Sequence, residues 1–112
     1  MRDVLEFARR KGGSDVSIAH AIDVTELQSL VDRKVTELSG GEAARTSLAL
    51  ALAQRATHLL LDEPLASLDT RMRERIISEL QHRARNGVTI LIVVHARESD
   101  LAWCDQIINY DA

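Results

Sequence analysis

Apolar residues recur at helical spacing over most of this chain and form continuous runs only in its second half. Residues 2–11 place Val4, Leu5 and Ala8 on one face and stop at a Gly-Gly pair, which predicts a short amphipathic helix. Residues 14–36 carry two further apolar groups, so two more short helices are expected there and no strand in this first third. The apolar positions of that region are Ile18, Ala21, Ile22, Leu27, Leu30 and Val31.

Two longer helices are predicted in the middle of the chain. Residues 42–55 are rich in strong helix formers, and residues 70–85 carry an apolar side chain at every fourth position on a charged background. Asp69 is placed to cap the start of the second helix, and Asn86-Gly87 its end. The expected inward positions are Ala44, Leu48, Ala51 and Leu52 on the first helix, and Met72, Ile76, Leu80 and Ala84 on the second.

Short apolar runs predict strands at residues 59–61, 88–94 and 107–110. The first run ends in charge and proline, as a strand buried on both faces does. Strand, helix and strand over residues 58–94 form a βαβ unit, so the two strands should be parallel with a right-handed crossover. The fold class is therefore α/β.

This topology places chemistry at one edge of the sheet. Ligands of parallel sheets bind beyond the carboxyl ends of the strands, and Asp62, Glu63 and His95 all follow such ends. An acidic pair and a histidine are therefore expected to meet there, although they are far apart in sequence. A carboxylate pair at a strand end can handle a metal ion and a water molecule.

Composition narrows the classes of partner and of site. A net charge of −3 over 112 residues, without a basic tract, argues against a nucleic-acid partner. The single cysteine, Cys104, rules out an internal disulfide and fits a reducing compartment. No apolar run approaches the roughly 20 residues of a membrane-spanning helix.

Five short elements resemble, in order, the C-terminal part of the ATPase domain of ATP-binding cassette (ABC) transporters. Residues 38–42 (Leu-Ser-Gly-Gly-Glu) resemble the family signature, residues 59–63 the Walker B strand, and residues 67–69 the D-loop. His95 resembles the switch histidine, and residues 104–108 stand where the family has an Ala-Asp-Arg-Ile strand. The resemblance covers about Val35 to Tyr110, and residues 1–34 fit the family's helical subdomain loosely.

The resemblance implies a partial P-loop NTPase-like fold, with one partial domain over residues 1–112. Residues 1–37 would be a portion of the helical subdomain. Residues 38–112 would hold the signature helix and the Walker B and switch half of a parallel βαβ core. The expected localisation is cytoplasmic, peripheral on the cytoplasmic face of a membrane.

The signature turn, residues 38–42, is expected to contact nucleotide. Ser39, Gly40 and Gly41 would present N–H groups at a helix start, where a γ-phosphate of ATP gains from hydrogen bonds and from the helix dipole. Glu42 in the first turn complements that dipole. The alternative for an isolated Ser-Gly-Gly is a plain helix-capping turn.

The resemblance also assigns roles at the sheet edge. Asp62 would hold Mg²⁺ largely through water, Glu63 would orient and polarise the attacking water, and His95 would sense the γ-phosphate. Asp69 has two compatible interpretations, a helix N-cap and a contact with a partner ABC domain. Arg45 is expected either to hold an acidic neighbour or to lie on the surface.

The sequence departs from the family in one large respect. No G-x-x-x-x-G-K-[ST] phosphate loop (Walker A) occurs, and the glutamine loop is also missing from these 112 residues. We therefore expect the isolated chain to bind ATP weakly and to hydrolyse it near background. Both ATP sites in the family's dimer need a P-loop, so a second ABC domain that carries one is the implied partner.

The leading functional hypothesis is a truncated ABC transporter ATP-binding protein, whose parent activity is ATP hydrolysis coupled to solute transport. Membrane-spanning transporter subunits are further implied partners. The alternative is a non-catalytic regulatory module that docks on a complete ABC ATPase domain. Uncovered sheet edge and apolar surface also predict self-association.

Overall fold

The computed structural model describes residues 2–10, 12, 14–95 and 101–108. These described residues form four helices and two strands, in chain order α1 (Arg2–Arg10), α2 (Asp15–Thr25), α3 (Gly40–Ala53), β1 (His58–Asp62), α4 (Thr70–Arg85) and β2 (Thr89–Val93). Two 3₁₀ turns, Gln28–Leu30 and Val35–Glu37, connect α2 to α3. Among the described residues, no helix is both long enough and apolar enough to cross a membrane.

The second short helix expected within residues 14–36 is wrong. Glu26 has a φ of +54°, a left-handed conformation that ends α2. The next apolar residues, Leu27 and Leu30, are buried at a spacing of three, which suits the 3₁₀ turn that forms there. Two 3₁₀ turns therefore follow α2 where a second short helix was expected.

The two longer helices agree closely with their predicted bounds. α4 spans Thr70–Arg85 as expected, because Asp69 accepts a hydrogen bond from the Met72 N–H at 2.8 Å and caps its start. α3 begins and ends two residues earlier than predicted, at Gly40 and Ala53. Two of the predicted inward positions are wrong, since Ala44 and Ala84 are exposed.

One apolar cluster joins the helices to the sheet. Its most deeply buried large side chains, fully enclosed by neighbours, are Leu27, Leu52, Ile76 and Leu80. The inward side chains of β1 belong to the same cluster. The helices that pack on one another therefore form most of the core, to which Leu59 and Leu61 add one face of the sheet.

The sheet is parallel, as predicted, and pairs Leu60 with Leu91 across its two strands. The expectation that β1 is buried on both faces is wrong. Leu59 and Leu61 are buried, but Leu60 is 70% exposed on the opposite face. The helices that pack on this sheet cover one face only, and in the described part of the chain nothing covers the other.

The strand predicted at residues 107–110 is absent where the structure can test it. Ile107 and Ile108 belong to no strand and are 52% and 78% exposed, while residues 109 and 110 lie outside the described residues. A strand needs a neighbour to accept and donate its backbone hydrogen bonds. Within the described ranges the sheet has only β1 and β2, and neither pairs with this segment.

Candidate functional site

The acidic pair and the histidine meet at the carboxyl ends of the two strands. The Glu63 N–H donates to the Val93 carbonyl at 2.8 Å, which carries the parallel pairing one residue past β1. The His95 backbone N–H donates to the Glu63 carboxylate, and His95 Nε2 lies 3.1 Å from Asp62 Oδ1. The predicted juxtaposition of these three residues is therefore confirmed.

The turn after β1 directs the chain away from this edge and into α4. Glu63 and Ser67, at the two ends of the turn, have φ values of +48° and +63°, which is uncommon for residues other than glycine. The Asp62 and His95 side chains stay 74% and 69% exposed. A side-chain contact so exposed contributes little to stability, and the edge is open to a ligand from solvent.

The donor groups at this edge fit Mg²⁺ in one specific way. The described residues contain no cluster of three or more side chains that could enclose a metal ion. Mg²⁺ usually keeps several waters and binds proteins through one or two carboxylates together with phosphate oxygens. Asp62 can supply one such carboxylate, which is enough for a largely hydrated ion that accompanies a phosphate ligand.

The signature turn begins α3 as a capping box. Ser39 Oγ accepts from the Glu42 N–H at 3.1 Å, and Glu42 Oε1 accepts from the Ser39 N–H at 3.0 Å. The hydrogen bond from the Ser39 backbone is the largest cause that holds the pKa of Glu42 below its ordinary value. The turn therefore caps α3, as the alternative interpretation predicted, and the Glu42 carboxylate is part of this cap.

The two glycines of this turn have no conformational reason to be glycine. Neither Gly40 nor Gly41 has a positive φ, and an added Cβ at either position meets nothing within 4 Å. As the first two residues of α3, they have N–H groups without an intrahelical carbonyl partner. The described structure therefore leaves room at both positions for close approach by a group from outside.

A cavity of about 510 Å³ joins the signature turn to the start of α4. Its lining residues from these two segments are Ser39, Gly41, Glu42, Ser67, Leu68, Asp69, Arg71 and Met72, and Glu26 and Arg45 complete it. We call this cavity the signature groove. Asp62, Glu63 and His95 are not part of its lining, so the predicted site residues fall into two separate groups.

Sequence reasoning missed the contacts of the signature groove's wall. Arg45 adds to the hydrogen bond from Ser39 in lowering the pKa of Glu42, so it has the expected acidic neighbour, but its Nη1 donates to the Thr25 carbonyl at 3.2 Å. Glu26 accepts two hydrogen bonds from Arg71 Nη2, at 2.8 and 3.0 Å. No local signal marked Glu26, since the left-handed position after a helix usually holds glycine.

The sequence profile of the ABC transporter family matches residues 3–66. This range is more than half of the chain, and the chain belongs to the ABC transporter family. The match begins close to the N-terminus, so the resemblance extends over the helical residues before position 35, beyond the range that the motifs indicated.

Two of the similar proteins are named as ATP-binding proteins of import systems. Hemin import ATP-binding protein HmuV of Rhodococcus jostii (strain RHA1) is 38% identical over 99 residues, 88% of this chain and 34% of that protein. Spermidine/putrescine import ATP-binding protein PotA of Legionella pneumophila (strain Lens) is 39% identical over 92 residues, 81% of this chain and 25% of that protein. The chain thus spans about a third or less of these relatives.

A solved structure described as a dimeric bacterial ABC transporter cassette shares the fold. It is 29% identical, superposes with a TM-score of 0.64, and is matched over 71% of this chain and 35% of its own. The fold is therefore that of ABC ATPases, within the P-loop NTPase class.

Proposed function

We propose that this chain contributes two surfaces to an ABC-type ATPase whose ATP hydrolysis is coupled to solute transport. One is the signature turn, and the other is the edge of the sheet that holds Asp62, Glu63 and His95. The observation that carries the proposal is the meeting of Asp62, Glu63 and His95 at the carboxyl ends of two parallel strands. The names of the hemin and polyamine import relatives support the transport setting.

Each residue at the edge has a role that its position suits. ATP would supply the γ-phosphate, and the accompanying Mg²⁺ would neutralise part of its charge. Asp62 would be the carboxylate that holds this hydrated ion. Glu63 lies beside Asp62 and would orient a water molecule for attack. His95 reaches Asp62 through Nε2 and would report on the γ-phosphate.

The signature turn would act on a nucleotide that another domain holds. Gly40 and Gly41 offer unpaired N–H groups at the positive end of α3, and no side chain blocks the approach of a phosphate. Asp69 lines the same groove and would contact the partner domain. A complete ATP site would therefore need this signature turn and a second ABC domain that holds the nucleotide.

The 112 residues on their own should bind ATP weakly and hydrolyse it near background. They contain no Walker A sequence, and this phosphate loop supplies the lysine and backbone N–H groups that cradle the β- and γ-phosphates.

Mixing this chain with a P-loop-bearing ABC domain tests the proposal. The partner should carry a substitution that disables its own signature, so that it has little ATPase activity alone. If the proposal holds, the chain restores ATPase activity by supplying a signature. Inhibition of an intact partner would instead favour the regulatory module, and no effect in either assay would refute both functions.

A matched pair of variants makes this assay specific to the signature turn. Gly41→Asp adds a carboxylate where a Cβ has free space, so the fold is kept while a phosphate is repelled. Ser47→Asp adds the same charge on the exposed face of the same helix. Restoration should be lost with Gly41→Asp and kept with Ser47→Asp.

A further inference from the structure

We propose that Glu26 is a positioning residue, which holds the start of α4 against the end of α2 and so sets the width of the signature groove. The inference rests on the function proposed above, because this groove separates the signature turn from Asp69.

Two arginines of α4 bind the last turn of α2. Arg71 Nη2 donates to both carboxylate oxygens of Glu26. One turn further along α4, Arg75 Nη2 donates to the Asp23 carbonyl at 3.0 Å and to Asp23 Oδ2 at 3.2 Å. Since Arg71 lies two residues after Asp69, the tie at Glu26 acts directly on the α4 side of the groove.

The signature helix is fastened to the same turn of α2. Arg45 of α3 donates to the Thr25 carbonyl, one residue before Glu26. A helix C-terminus carries partial negative charge and unpaired carbonyl groups, so it attracts arginine side chains from both neighbours. Side chains of α3 and α4, which form the two sides of the groove, therefore both bind the end of α2. Through this shared contact the end of α2 fixes the position of α3 relative to α4.

The backbone at Glu26 indicates that its side chain is needed. A residue that ends a helix at positive φ is usually glycine, because any Cβ is strained there. Strain of this kind persists where surrounding contacts impose it and is frequent at functional positions. Here the strained residue lines the groove and directs its carboxylate to Arg71.

Glycine at position 26 is the decisive substitution. Glu26→Gly removes the carboxylate but suits the backbone, so the variant should fold at least as readily as the natural chain. Glu26→Arg combined with Arg71→Glu reverses the pair and should rebuild it. Glu74→Gln, at an exposed carboxylate of α4, is the matched control for loss of a charge.

Residual dipolar couplings of backbone amides measure the angle between α3 and α4 without any partner or nucleotide. We expect this angle to shift in Glu26→Gly, to return in the reversed pair and to stay unchanged in Glu74→Gln. An unchanged angle in Glu26→Gly, or no return in the reversed pair, would overturn the positioning role.

Binding to an ATP-loaded, P-loop-bearing ABC domain is the second measurement. Glu26→Gly should weaken it by roughly 1.5-fold to fivefold, the range of a partly exposed ion pair. If the natural chain does not bind this domain, the proposed function fails while the couplings still decide the role of Glu26. If it binds and Glu26→Gly binds equally well, Glu26 does not position the groove.

Discussion

Glu79 shows at the scale of one residue how a half-buried charge joins two helices. Its Oε1 accepts from His20 Nε2 of α2 and from Arg83 Nε of α4, each at 2.9 Å. Burial alone would raise the pKa of Glu79, but the hydrogen bonds from Arg83 and His20 outweigh it and hold the pKa below the ordinary value of 4.5. The ionised carboxylate therefore stabilises the folded state.

Replacement of Glu79 by glutamine should make stability less dependent on pH. Because the folded pKa is depressed, the contribution of Glu79 is present above pH 4.5 and is lost as the pH falls below it. We expect Glu79→Gln to cost about 1–2 kcal/mol near neutral pH, as for a hydrogen-bonded charge, and the difference to shrink in acid. Urea unfolding over a pH series measures it.

Glu74→Gln, at an exposed carboxylate of the same helix, is the control for this series. Its free energy of unfolding should follow that of the natural chain at every pH. A difference for Glu79→Gln that stays constant from neutral to acid pH would show that Glu79 does not act through its charge.

At the level of elements, one row of buried side chains on α4 packs in the same core as the inward side chains of the sheet. Ile76 lies at its centre, is fully buried and belongs to the cluster that also holds the inward side chains of β1. Ile76→Ala should lower the free energy of unfolding by about 2–5 kcal/mol through lost burial and a cavity. Chemical denaturation of the purified chain provides the measurement.

The smaller deletion Ile76→Val should cost only about 0.5–1.5 kcal/mol, since most of the cavity stays filled. Ser78→Ala, on the exposed face of the same helix, should leave stability nearly unchanged. Equal losses in Ile76→Ala and Ser78→Ala would contradict the assignment of the buried face of α4.

Helix ends were predictable where a local signal marked them. Asp69 and Asn86-Gly87 delimit α4 as expected, because capping bonds and the positive φ of Gly87 involve only neighbours in sequence. The end of α2 was not predictable, because glutamate is not a residue that terminates helices. Its left-handed conformation accompanies a contact with Arg71, which lies far away along the chain.

At the scale of the whole molecule, the uncovered face of the sheet predicts self-association. Leu60 and Leu91 are paired across the strands and are 70% and 58% exposed. Parallel sheets are normally covered on both faces, so a second copy of the chain is the expected cover. Sedimentation at rising concentration should reveal larger species.

Replacement of both leucines by threonine should reduce this association, since threonine keeps the β propensity and removes apolar area. Val16→Thr removes an apolar side chain that is 80% exposed on α2 and should leave the association unchanged. Association that persists unchanged in the double variant would locate the contact elsewhere.

Four features were predictable from the amino-acid sequence: the family motifs, the α/β class, the parallel strands, and the meeting of Asp62, Glu63 and His95. These follow from short-range signals and from the rule that parallel strands end at one edge. Three other features depend on the three-dimensional packing: in the described part of the chain one sheet face has no cover, Arg45 binds the Thr25 carbonyl, and Glu26 ties α4 to α2. Such features depend on how segments distant in the chain pack, which no local pattern encodes.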